Sequence, residues 1–550
     1  MTTDQRQKTD RKCLAVALAL ALIFLWGFGL RLTGVSRIGF AEDEINKLYA
    51  VRAYEHGDIR PNAEHPMLMK ALMFVSYETV KAWNSRGPEN RISDETAIRF
   101  PNILIGALTI FPLFLLAAAF FDRFTALVTS AMWAFGINAI NYNRIAKEDT
   151  LLVFFMLFAF YFYLRAKQTS GFQAKQKRWR FNLSGISFGL MLASKYFPHY
   201  FGLNALYHHL FKVRQQRPGE SPWKTPGLFY ILVVVVFLVA NPAVLLLQTW
   251  GYLQAYTSGE LLRHTGYLMG DTLYKNNMPS TPFWGTPIYY YLFFMAIKIP
   301  LPIIIAFIAG LVICLKTWRK PGHGFLLLMF ILWIVPYSLI GAKWLRFTLS
   351  LMPFVYMIAA VGVSVLLKWI ASSFEGVKAK RVMPFAYTTI VIVFVALPAW
   401  TAYANGPHYA LYTNRLVSNS VAGYYFPHDE YYDDGLREAI RYICDTAPSG
   451  ATIVNETPGV VRYYLQEYGR ADLQARVLSD PNFNVDQQRE TFVILQRGRT
   501  YFENKDKMRD VRERLNLVYG SCPRIGAASA EVYATKSGKV SIALCDDINL

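Results

Sequence analysis

Three consecutive carboxylates follow the first apolar run of the chain. Residues 40–46 read FAEDEIN, which places Glu42, Asp43 and Glu44 shortly after the stretch CLAVALALALIFLWGFGLRL. A carboxylate can accept the proton of an attacking hydroxyl and so act as a general base. An acidic triplet is, however, more often a solvated loop than a catalytic group. Its interpretation therefore depends on the residues that accompany it.

Charged residues recur at the borders of later apolar runs. Lysine and arginine can hold a phosphate group, arginine through paired N–H donors. A charge at the bilayer centre costs roughly 2.5–3.5 kcal/mol on insertion scales, so such residues need water, a partner or a ligand. Taken singly, Arg99 and Lys343 are as readily explained as interfacial anchors. The candidates are Arg99, Arg144, Asp149, Lys195, Lys343 and Arg346, with His65, Lys70, His264 and Trp284 in the predicted external loops.

The composition predicts a membrane protein. Of 550 residues, 53% are hydrophobic and 17% are charged, whereas soluble proteins carry about 25% charged residues. The net charge is +19, but the lysines and arginines fall in short clusters between apolar runs. This pattern is typical of membrane topology and not of a nucleic-acid-binding surface, so no nucleic-acid partner is expected.

The apolar runs predict about eleven transmembrane helices, each near the ~20 residues that cross a bilayer. The strongly basic loops, 166–182, 212–226, 316–323 and 371–382, then all fall on one side, as the positive-inside rule requires of the cytoplasm. The N-terminus is accordingly predicted to be cytoplasmic. The predicted spans lie near 13–32, 99–121, 124–141, 150–166, 183–196, 198–211, 227–249, 287–315, 324–341, 346–370 and 383–403.

An odd number of crossings predicts that the C-terminus is external. The chain then divides into a membrane module, residues 1–403, and a periplasmic domain, residues 404–550. The first external loop, 33–98, contains the Asp-Glu pair. In the second part Leu436, Ile440 and Ile443 have helical spacing, and ATIVN, TFVILQ, AEVYAT and KVSIAL read as short strands. This part is therefore predicted to be a soluble α/β domain.

Several of these stretches resemble the protein O-mannosyltransferase family of GT-C glycosyltransferases and, more distantly, the lipid A aminoarabinose transferases. FAEDE is similar to the Asp-Glu motif of the family's first external loop, and EHPMLMK to its HPPLGK motif. RFPNILIGAL, RIAKEDTLLVFF, ASKYFPHYFG and KWLRFTLSLMPF resemble its arginine-led second span, its Arg-then-Asp pattern, its lysine stretch and its K..RY..P..P signature. The chain departs from the family at Met67, Met69, Phe347 and Ser350, and by the KED of RIAKEDT.

The resemblance implies a GT-C fold and a transferase that uses a polyprenyl-phosphate-linked sugar outside the cytoplasmic membrane. Asp43 would be the general base, Glu44 would orient the base or the acceptor, and Asp149 would be a second acidic partner. The leaving lipid phosphate would be stabilised by Arg346, Lys343, Lys195, Arg99 and Arg144. Acceptor or loop support would come from His65, Lys70, His264 and Trp284. The chemistry requires no metal or other cofactor, although Asp43 and Asp149 could hold a divalent ion.

The acceptor and the broader class leave alternatives. A Ser or Thr hydroxyl of a protein is the first expectation, and a hydroxyl of lipid A or another glycolipid is the second. A multispan transporter or flippase and an envelope scaffold belong to other classes. Against a transporter, the charges cluster toward one membrane border and the sequence has no internal repeat. The expected location is the inner membrane, with the lipid bilayer, the lipid-linked donor and the acceptor as partners.

Overall fold

The described part of the chain is mostly helical. The computed structural model describes residues 3–87, 89, 91–169, 173–211, 225–258, 266–275, 285–374, 376–417, 421–483, 490–522 and 528–535. The first ten helices are α1 (Thr3–Leu32), α2 (Glu42–Tyr54), α3 (Met67–Asn84), α4 (Asp94–Leu108), α5 (Ile110–Phe120), α6 (Arg123–Phe135), α7 (Ile137–Asn143), α8 (Asp149–Gln168), α9 (Ala174–Ser194) and α10 (His199–Leu210).

The following stretch contains further helices and a two-stranded hairpin. Its elements are α11 (Gly227–Ala240), α12 (Leu247–Ser258), β1 (Gly266–Met269), β2 (Thr272–Lys275), α13 (Tyr290–Lys298), α14 (Leu301–Lys316), α15 (Pro321–Leu339), α16 (Met352–Ser373), α17 (Gly376–Val391) and α18 (Leu397–Asn405). Strands β1 and β2 are antiparallel. Short 3₁₀ segments occupy Pro242–Leu245 and Leu345–Ser350, and a π-helical turn, Ile392–Ala396, joins α17 to α18.

Six helical segments of the described residues are long and apolar enough to cross a bilayer. They are Cys13–Leu32, Asp94–Phe120, Asp149–Lys167, Pro321–Leu339, Met352–Ser373 and Arg381–Asn405. The apolar helices α11 and α14 are shorter. The chain is therefore a multi-pass membrane protein, and the number of eleven crossings stays a prediction.

Proline and glycine interrupt several of the predicted spans. The predicted span 287–315 is divided into α13 and α14 just before Leu301, because Pro300 lacks a backbone N–H and restricts the residue before it. The predicted span 124–141 is divided into α6 and α7 at Gly136. Helix α11 likewise ends one residue before the sequence Asn241-Pro242. The apolar pattern thus locates the membrane segments but overstates their continuity.

A buried arginine fixes α1 against its neighbours. The Arg31 side chain is fully buried. It donates to Asn143 Oδ1 at 3.0 Å and to the carbonyl oxygens of Gly27 and Ala134 at 2.9 and 2.8 Å. A buried charge is tolerated only when it is hydrogen-bonded in this way. The contacts hold the end of α7 in place, directly before residues 144–149.

The C-terminal part contains a five-stranded mixed sheet with helices packed on it. Its elements are α19 (Pro427–Tyr431), α20 (Leu436–Thr446), β3 (Thr452–Val454), α21 (Pro458–Glu467), β4 (Gln474–Arg476), β5 (Thr491–Leu495), α22 (Lys505–Arg514), β6 (Asn516–Ser521) and β7 (Ala530–Ala534). The strand order is β4-β3-β5-β7-β6. Strand β3 is parallel to β4 and β5, and β7 is antiparallel to β5 and β6. The predicted strand KVSIAL lies outside the described residues.

Helices of the first external loop share a hydrophobic core with the C-terminal part. Ile45 and Leu48 of α2 and Met73 of α3 belong to the same buried cluster as Ile440 of α20 and Val461 of α21. All five side chains are at most 1% exposed. Residues 40–73 and 436–534 thus contribute to one core, and the domain boundary at residue 404 stays a prediction. Helix α2 is thus held by the C-terminal part.

Close packing of α14 on α16 predicts that Gly310 tolerates no side chain. A Cβ added there would lie 1.9 Å from the carbonyl oxygen of Ile358. Because that obstacle is a backbone atom, Gly310→Ala should lower the free energy of unfolding by about 1–3 kcal/mol. The loss should appear as a lower midpoint temperature of unfolding in detergent. Gly29→Ala is the matched control, since a Cβ at Gly29 meets nothing within 4 Å. Equal midpoints for the two variants would contradict this packing.

Candidate active site

The FAEDEIN stretch begins helix α2 and places three carboxylates in its first turn. The Glu44 carboxylate accepts the backbone N–H of Ala41 at 3.2 Å. This contact satisfies one of the donors that a helix start leaves unpaired. Negative side chains in the first turn are also stabilised by the helix dipole. The local sequence therefore holds Asp43 at the positive end of a helix.

Three groups from distant parts of the chain contact Asp43, all at the same carboxylate oxygen, Oδ2. Arg346 Nη1 lies 3.4 Å away, Tyr432 Oη donates at 2.9 Å, and Lys147 forms an ion pair. Burial would raise the pKa of the Asp43 carboxyl, but Lys147, Arg346 and Lys47 hold it well below its usual range. Within the described residues the other oxygen, Oδ1, has no such contact.

Asp43 lines a cavity of about 610 Å³ between the membrane part and the C-terminal part. Its side chain is 34% exposed there. Sites for small molecules usually have volumes of roughly 300–1,000 Å³. The membrane part contributes His65, Lys147, Trp344 and Arg346 to the walls, and the C-terminal part contributes His428, Tyr432, Glu456, Arg462, Arg499 and Tyr501. A carboxylate and several cations therefore face one polar space.

A buried ion pair lies behind Asp43. Lys47 follows Asp43 by one helical turn, and its Nζ is 3.0 Å from Glu148 Oε1, with both side chains at most 3% exposed. His65 Nδ1 lies 3.9 Å from the same oxygen. Burial opposes the charge of Glu148, but Lys47 keeps the pKa of that carboxyl well below its usual range. Burial also lowers the pKa of His65 well below its usual value, so the ring is neutral at pH 7.

A second lysine–aspartate pair lies beside Arg346. Lys195 Nζ is 2.5 Å from Asp149 Oδ1 and 4.6 Å from the ring centroids of both Phe197 and Phe347. The Arg346 guanidinium lies 5.9 Å from the same Phe347 ring. Two of the expected phosphate-binding cations, Arg346 and Lys195, thus flank one aromatic side chain. Asp149 thus pairs with Lys195, and no hydrogen bond or ion pair between it and Asp43 occurs among the described residues.

Glu44 and Arg99 pair with each other and do not line the cavity. Arg99 Nε is 2.8 Å from Glu44 Oε1, and Nη2 is 2.5 Å from Oε2. The Arg99 guanidinium also donates to three backbone carbonyls within residues 35–39 at 2.7–2.9 Å. Glu44 Oε1 additionally accepts the N–H of Ala146 at 2.9 Å. These contacts fix the entry into α2, and the positions do not support the expected roles in orienting the acceptor or binding phosphate.

Three other candidate residues donate to backbone carbonyls. Arg144 donates to Thr33 at 2.6 Å, and Lys343 to the carbonyls at 340 and 286 at 2.5 and 2.8 Å. Burial lowers the pKa of Lys343 to about 8. Lys70 donates to the carbonyl of His65 at 3.0 Å and so shapes the loop that presents this histidine to the cavity. The two remaining candidates, His264 and Trp284, lie outside the described residues.

Sequence reasoning missed four residues around Asp43. Lys147 and Glu148 belong to the stretch RIAKEDTLLVFF, but neither was assigned a role. Lys47 follows Asp43 at the i,i+4 spacing that puts two side chains on one helix face, and this signal would have identified it. Tyr432 has no such signal, because only the tertiary fold brings it to Asp43.

The arrangement does not favour a metal ion. Asp43 and Asp149 each pair with a lysine, Lys147 and Lys195 respectively, and these cations repel a divalent ion. In the described ranges, no group of three or more His, Cys, Asp or Glu residues could hold a metal.

Residues 91–245 match the sequence model of a family described as dolichyl-phosphate-mannose-protein mannosyltransferase. The chain is a glycosyltransferase whose residues 91–245 are related to the protein O-mannosyltransferases. The resemblance inferred from the motifs is therefore confirmed. The matched segment contains the RIAKEDT loop and Lys195, which provide charged groups of the site.

Two solved structures share the fold of this glycosyltransferase over nearly its whole length. ArnT from Cupriavidus metallidurans in the apo state has a TM-score of 0.52 and 13% identity, covering 96% of this chain and 98% of that chain. ArnT from the same organism bound to undecaprenyl phosphate has a TM-score of 0.50 at the same identity and coverage. At this identity the likeness describes the fold. No curated protein sequence matches the chain significantly.

The Lys47–Glu148 pair of the glycosyltransferase should behave as one unit. Lys47→Met leaves a buried carboxylate without its cation, which we expect to lower the free energy of unfolding by about 3–5 kcal/mol. The double variant Lys47→Met/Glu148→Leu should recover much of this loss. Denaturant unfolding in detergent measures the coupling, and simply additive losses would contradict it. Arg60→Met is the control, because its pair with Asp58 is exposed.

Proposed function

We propose that this glycosyltransferase moves one sugar from a polyprenyl-phosphate donor to an acceptor hydroxyl, with inversion at the anomeric carbon. The observation that carries the proposal is the position of Asp43, which faces the cavity and contacts Arg346 and Lys147 at one oxygen only. The candidate base is thus in direct contact with two cations that could bind the donor phosphate. Asp43 is the general base.

The reaction is a single displacement. The acceptor oxygen attacks the anomeric carbon from the face opposite the phosphate, while its proton passes to Asp43 Oδ1. The new carbon–oxygen bond forms as the bond between the anomeric carbon and the phosphate oxygen breaks, and the lipid phosphate leaves with the electron pair. A positioned general base contributes about 10²–10⁴-fold to such a rate.

Arg346, Lys147 and Lys195 hold the donor phosphate and stabilise the charge that develops on it. Arg346 and Lys147 pair with Asp43, which weakens that carboxylate as a base. A bound phosphate competes for both cations and so restores its basicity. Burial lowers the pKa of Lys147 to about 8. Because this value is above 7, the amine still carries its proton at pH 7. The fold shared with ArnT, whose structure with undecaprenyl phosphate is known, supports a lipid-linked donor.

The acceptor enters beside the C-terminal part. The cavity wall opposite the membrane part is formed by residues of 428–501, including Glu456, Arg462 and Tyr501. The family match of residues 91–245 supports a Ser or Thr hydroxyl of a protein as the acceptor. A glycolipid hydroxyl is the second candidate, supported by the fold that the whole chain shares with ArnT.

The positions of the basic loops support a cavity on the outer side of the membrane. The proposed topology has about eleven crossings, a cytoplasmic N-terminus and residues 404–550 in the periplasm, with the protein in the inner membrane. Lysine and arginine take the place that a metal holds in other phosphate-binding sites, so the proposal requires no metal.

Asp43→Asn should reduce sugar transfer by about 10²–10⁴-fold, because the amide cannot accept the proton. Purified protein is incubated with radiolabelled polyprenyl-phosphate sugars and membrane or secreted fractions. The amount of labelled product is then measured. Asp58→Asn is the matched control, since Asp58 lies in the same external loop and pairs only with Arg60 among the described residues.

The fate of the label distinguishes the acceptors. If a protease releases the label in soluble form, the acceptor is a protein. If the label is extracted into organic solvent and resists protease, the acceptor is a glycolipid. Full activity of Asp43→Asn would overturn the assignment of the base. Solute flux in liposomes, with no transfer from any lipid-linked sugar, would favour a transporter instead.

A further inference from the structure

Tyr432 reaches the catalytic carboxylate from the C-terminal part. Its hydroxyl donates to Asp43 Oδ2 at 2.9 Å and lines the same cavity. The oxygen it contacts is the one shared with Arg346 and Lys147. Among the described residues these contacts leave the other oxygen, Oδ1, without a hydrogen bond.

The backbone at Tyr432 is held in an unfavourable conformation. Tyr432 and Asp433 have φ values of 43° and 65°, in the left-handed region that non-glycine residues seldom adopt. Such conformations persist only where surrounding contacts enforce them, and they cluster at functional sites. Tyr432 is therefore presented to Asp43 by a turn that the fold maintains at a cost in free energy.

Asp433 anchors this turn to the first turn of α2. Its Oδ2 accepts the backbone N–H of Glu42 at 3.0 Å, and Arg499 Nε donates to Oδ1 at 2.7 Å. Arg499 also contacts Glu42 Oε2 at 2.9 Å. The residue before Asp43 and the residue after Tyr432 are thus tied together, which fixes the distance between the two functional side chains.

We propose that Tyr432 is a positioning residue, which orients the Asp43 carboxylate so that Oδ1 receives the acceptor proton. This inference rests on the proposed function. When the donor phosphate draws away Arg346 and Lys147, the hydroxyl of Tyr432 stays as a neutral donor to Oδ2. The C-terminal part is then a component of the catalytic site, and not only a cover for it.

The test is the pH dependence of kcat with saturating donor, for the wild type and Tyr432→Phe. Loss of a hydrogen bond to the charged form raises the pKa of the base, so the acid limb of kcat should move up by about 0.5–1 pH unit. The maximal kcat should fall roughly tenfold with the KM for the donor unchanged. Several other groups near Asp43 also influence this limb, namely the charged side chains of Lys147, Arg346, Lys47, Glu42, Glu44 and Glu148 and the titratable ring of His65.

Tyr431→Phe is the matched control. The Tyr431 hydroxyl is buried and has no hydrogen-bond partner in the described residues, so its removal should leave the acid limb in place. The position of the limb does not depend on the amount of folded protein, so partial misfolding cannot imitate the result. An unmoved limb and an unchanged kcat in Tyr432→Phe would overturn the role of Tyr432. Full activity of Asp43→Asn would instead overturn the proposed function itself.

A second cavity lies at the opposite end of the membrane helices. It has a volume of about 1,780 Å³ and is bounded by residues of α5, α6, α8, α10, α14, α15 and α16. On α8, Asp149 belongs to the catalytic end and Arg165 to this cavity. Arg165 follows Asp149 by sixteen helical steps, or about 24 Å at 1.5 Å per residue. The positive-inside pattern assigns this end to the cytoplasm.

The residues that line this cavity complement a ligand that is an anionic amphiphile. Its polar edge carries Arg165, Arg319, Lys320 and Lys368, and the carboxylate of Asp122 lies 3.4 Å from Lys368. The cations therefore outnumber the carboxylate. The cavity is also lined by apolar and aromatic residues, namely Phe120, Leu164, Tyr207, Phe211, Ile313 and Val361.

We infer that this cavity binds the head group and part of the acyl chains of an anionic phospholipid. Basic pockets between membrane helices on the cytoplasmic side are typical of such binding. The inference is independent of the catalytic proposal, because none of the residues concerned lies at the Asp43 cavity.

The test is native mass spectrometry of the delipidated full-length protein with phosphatidylglycerol and phosphatidylcholine of identical acyl chains. The wild type should retain phosphatidylglycerol preferentially. Arg319→Gln/Lys320→Gln/Lys368→Gln should lose this preference by about fivefold for each cation removed. Lys175→Gln/Lys177→Gln/Arg178→Gln, with the same change in charge at the start of α9, should retain it.

An equal loss in the control triple would show nonspecific attraction and overturn the site. Displacement of phosphatidylglycerol by millimolar inorganic phosphate would overturn the lipid assignment in favour of a site for free phosphate. Resistance to inorganic phosphate, together with loss in the cavity triple alone, supports the lipid.

Discussion

The candidate site depends on the pairing of Asp43 with cations that come from distant parts of the chain. Lys147 precedes α8, and Arg346 lies in the 3₁₀ segment before α16. Two like charges brought together in a poorly solvated pocket repel each other. The carboxylate of Asp43 offsets that repulsion and allows both cations to lie where a phosphate can reach them. The pairing thus brings the candidate base and the two cations together.

The same rule explains the three charges at the start of α8. Lys147, Glu148 and Asp149 are consecutive, and each pairs with an opposite charge, from Asp43, Lys47 and Lys195 respectively. Burying any one of them alone would be costly, and the partners remove most of that cost. The KED sequence, which departs from the usual family pattern, is therefore a compensated cluster. It connects α2 to the segment after α9 through three ion pairs.

The sequence predicted the membrane character, the family and the candidate base, because apolar runs and short motifs are local properties. It did not predict how the charges pair. Arg99 and Lys343 resemble phosphate ligands in sequence, but their donors are taken by backbone carbonyls and, for Arg99, by Glu44. Tyr432 was missed because its approach to Asp43 depends on tertiary structure. The breaks at Pro300 and Gly136 were also missed, because the hydropathy of a segment does not report its continuity.

The hydrophobic core that α2 shares with the C-terminal part restricts how the protein can move. Ile45 and Leu48 are embedded beside Ile440, while Asp43 lies one turn away on the same helix. A hinge rotation of residues 436–534 would carry α2 with it and separate Asp43 from Lys147 and Arg346. The geometry of the candidate site is therefore tied to the position of the C-terminal part. A change in the packing of the five-stranded sheet would in turn change the position of Asp43 in the candidate site.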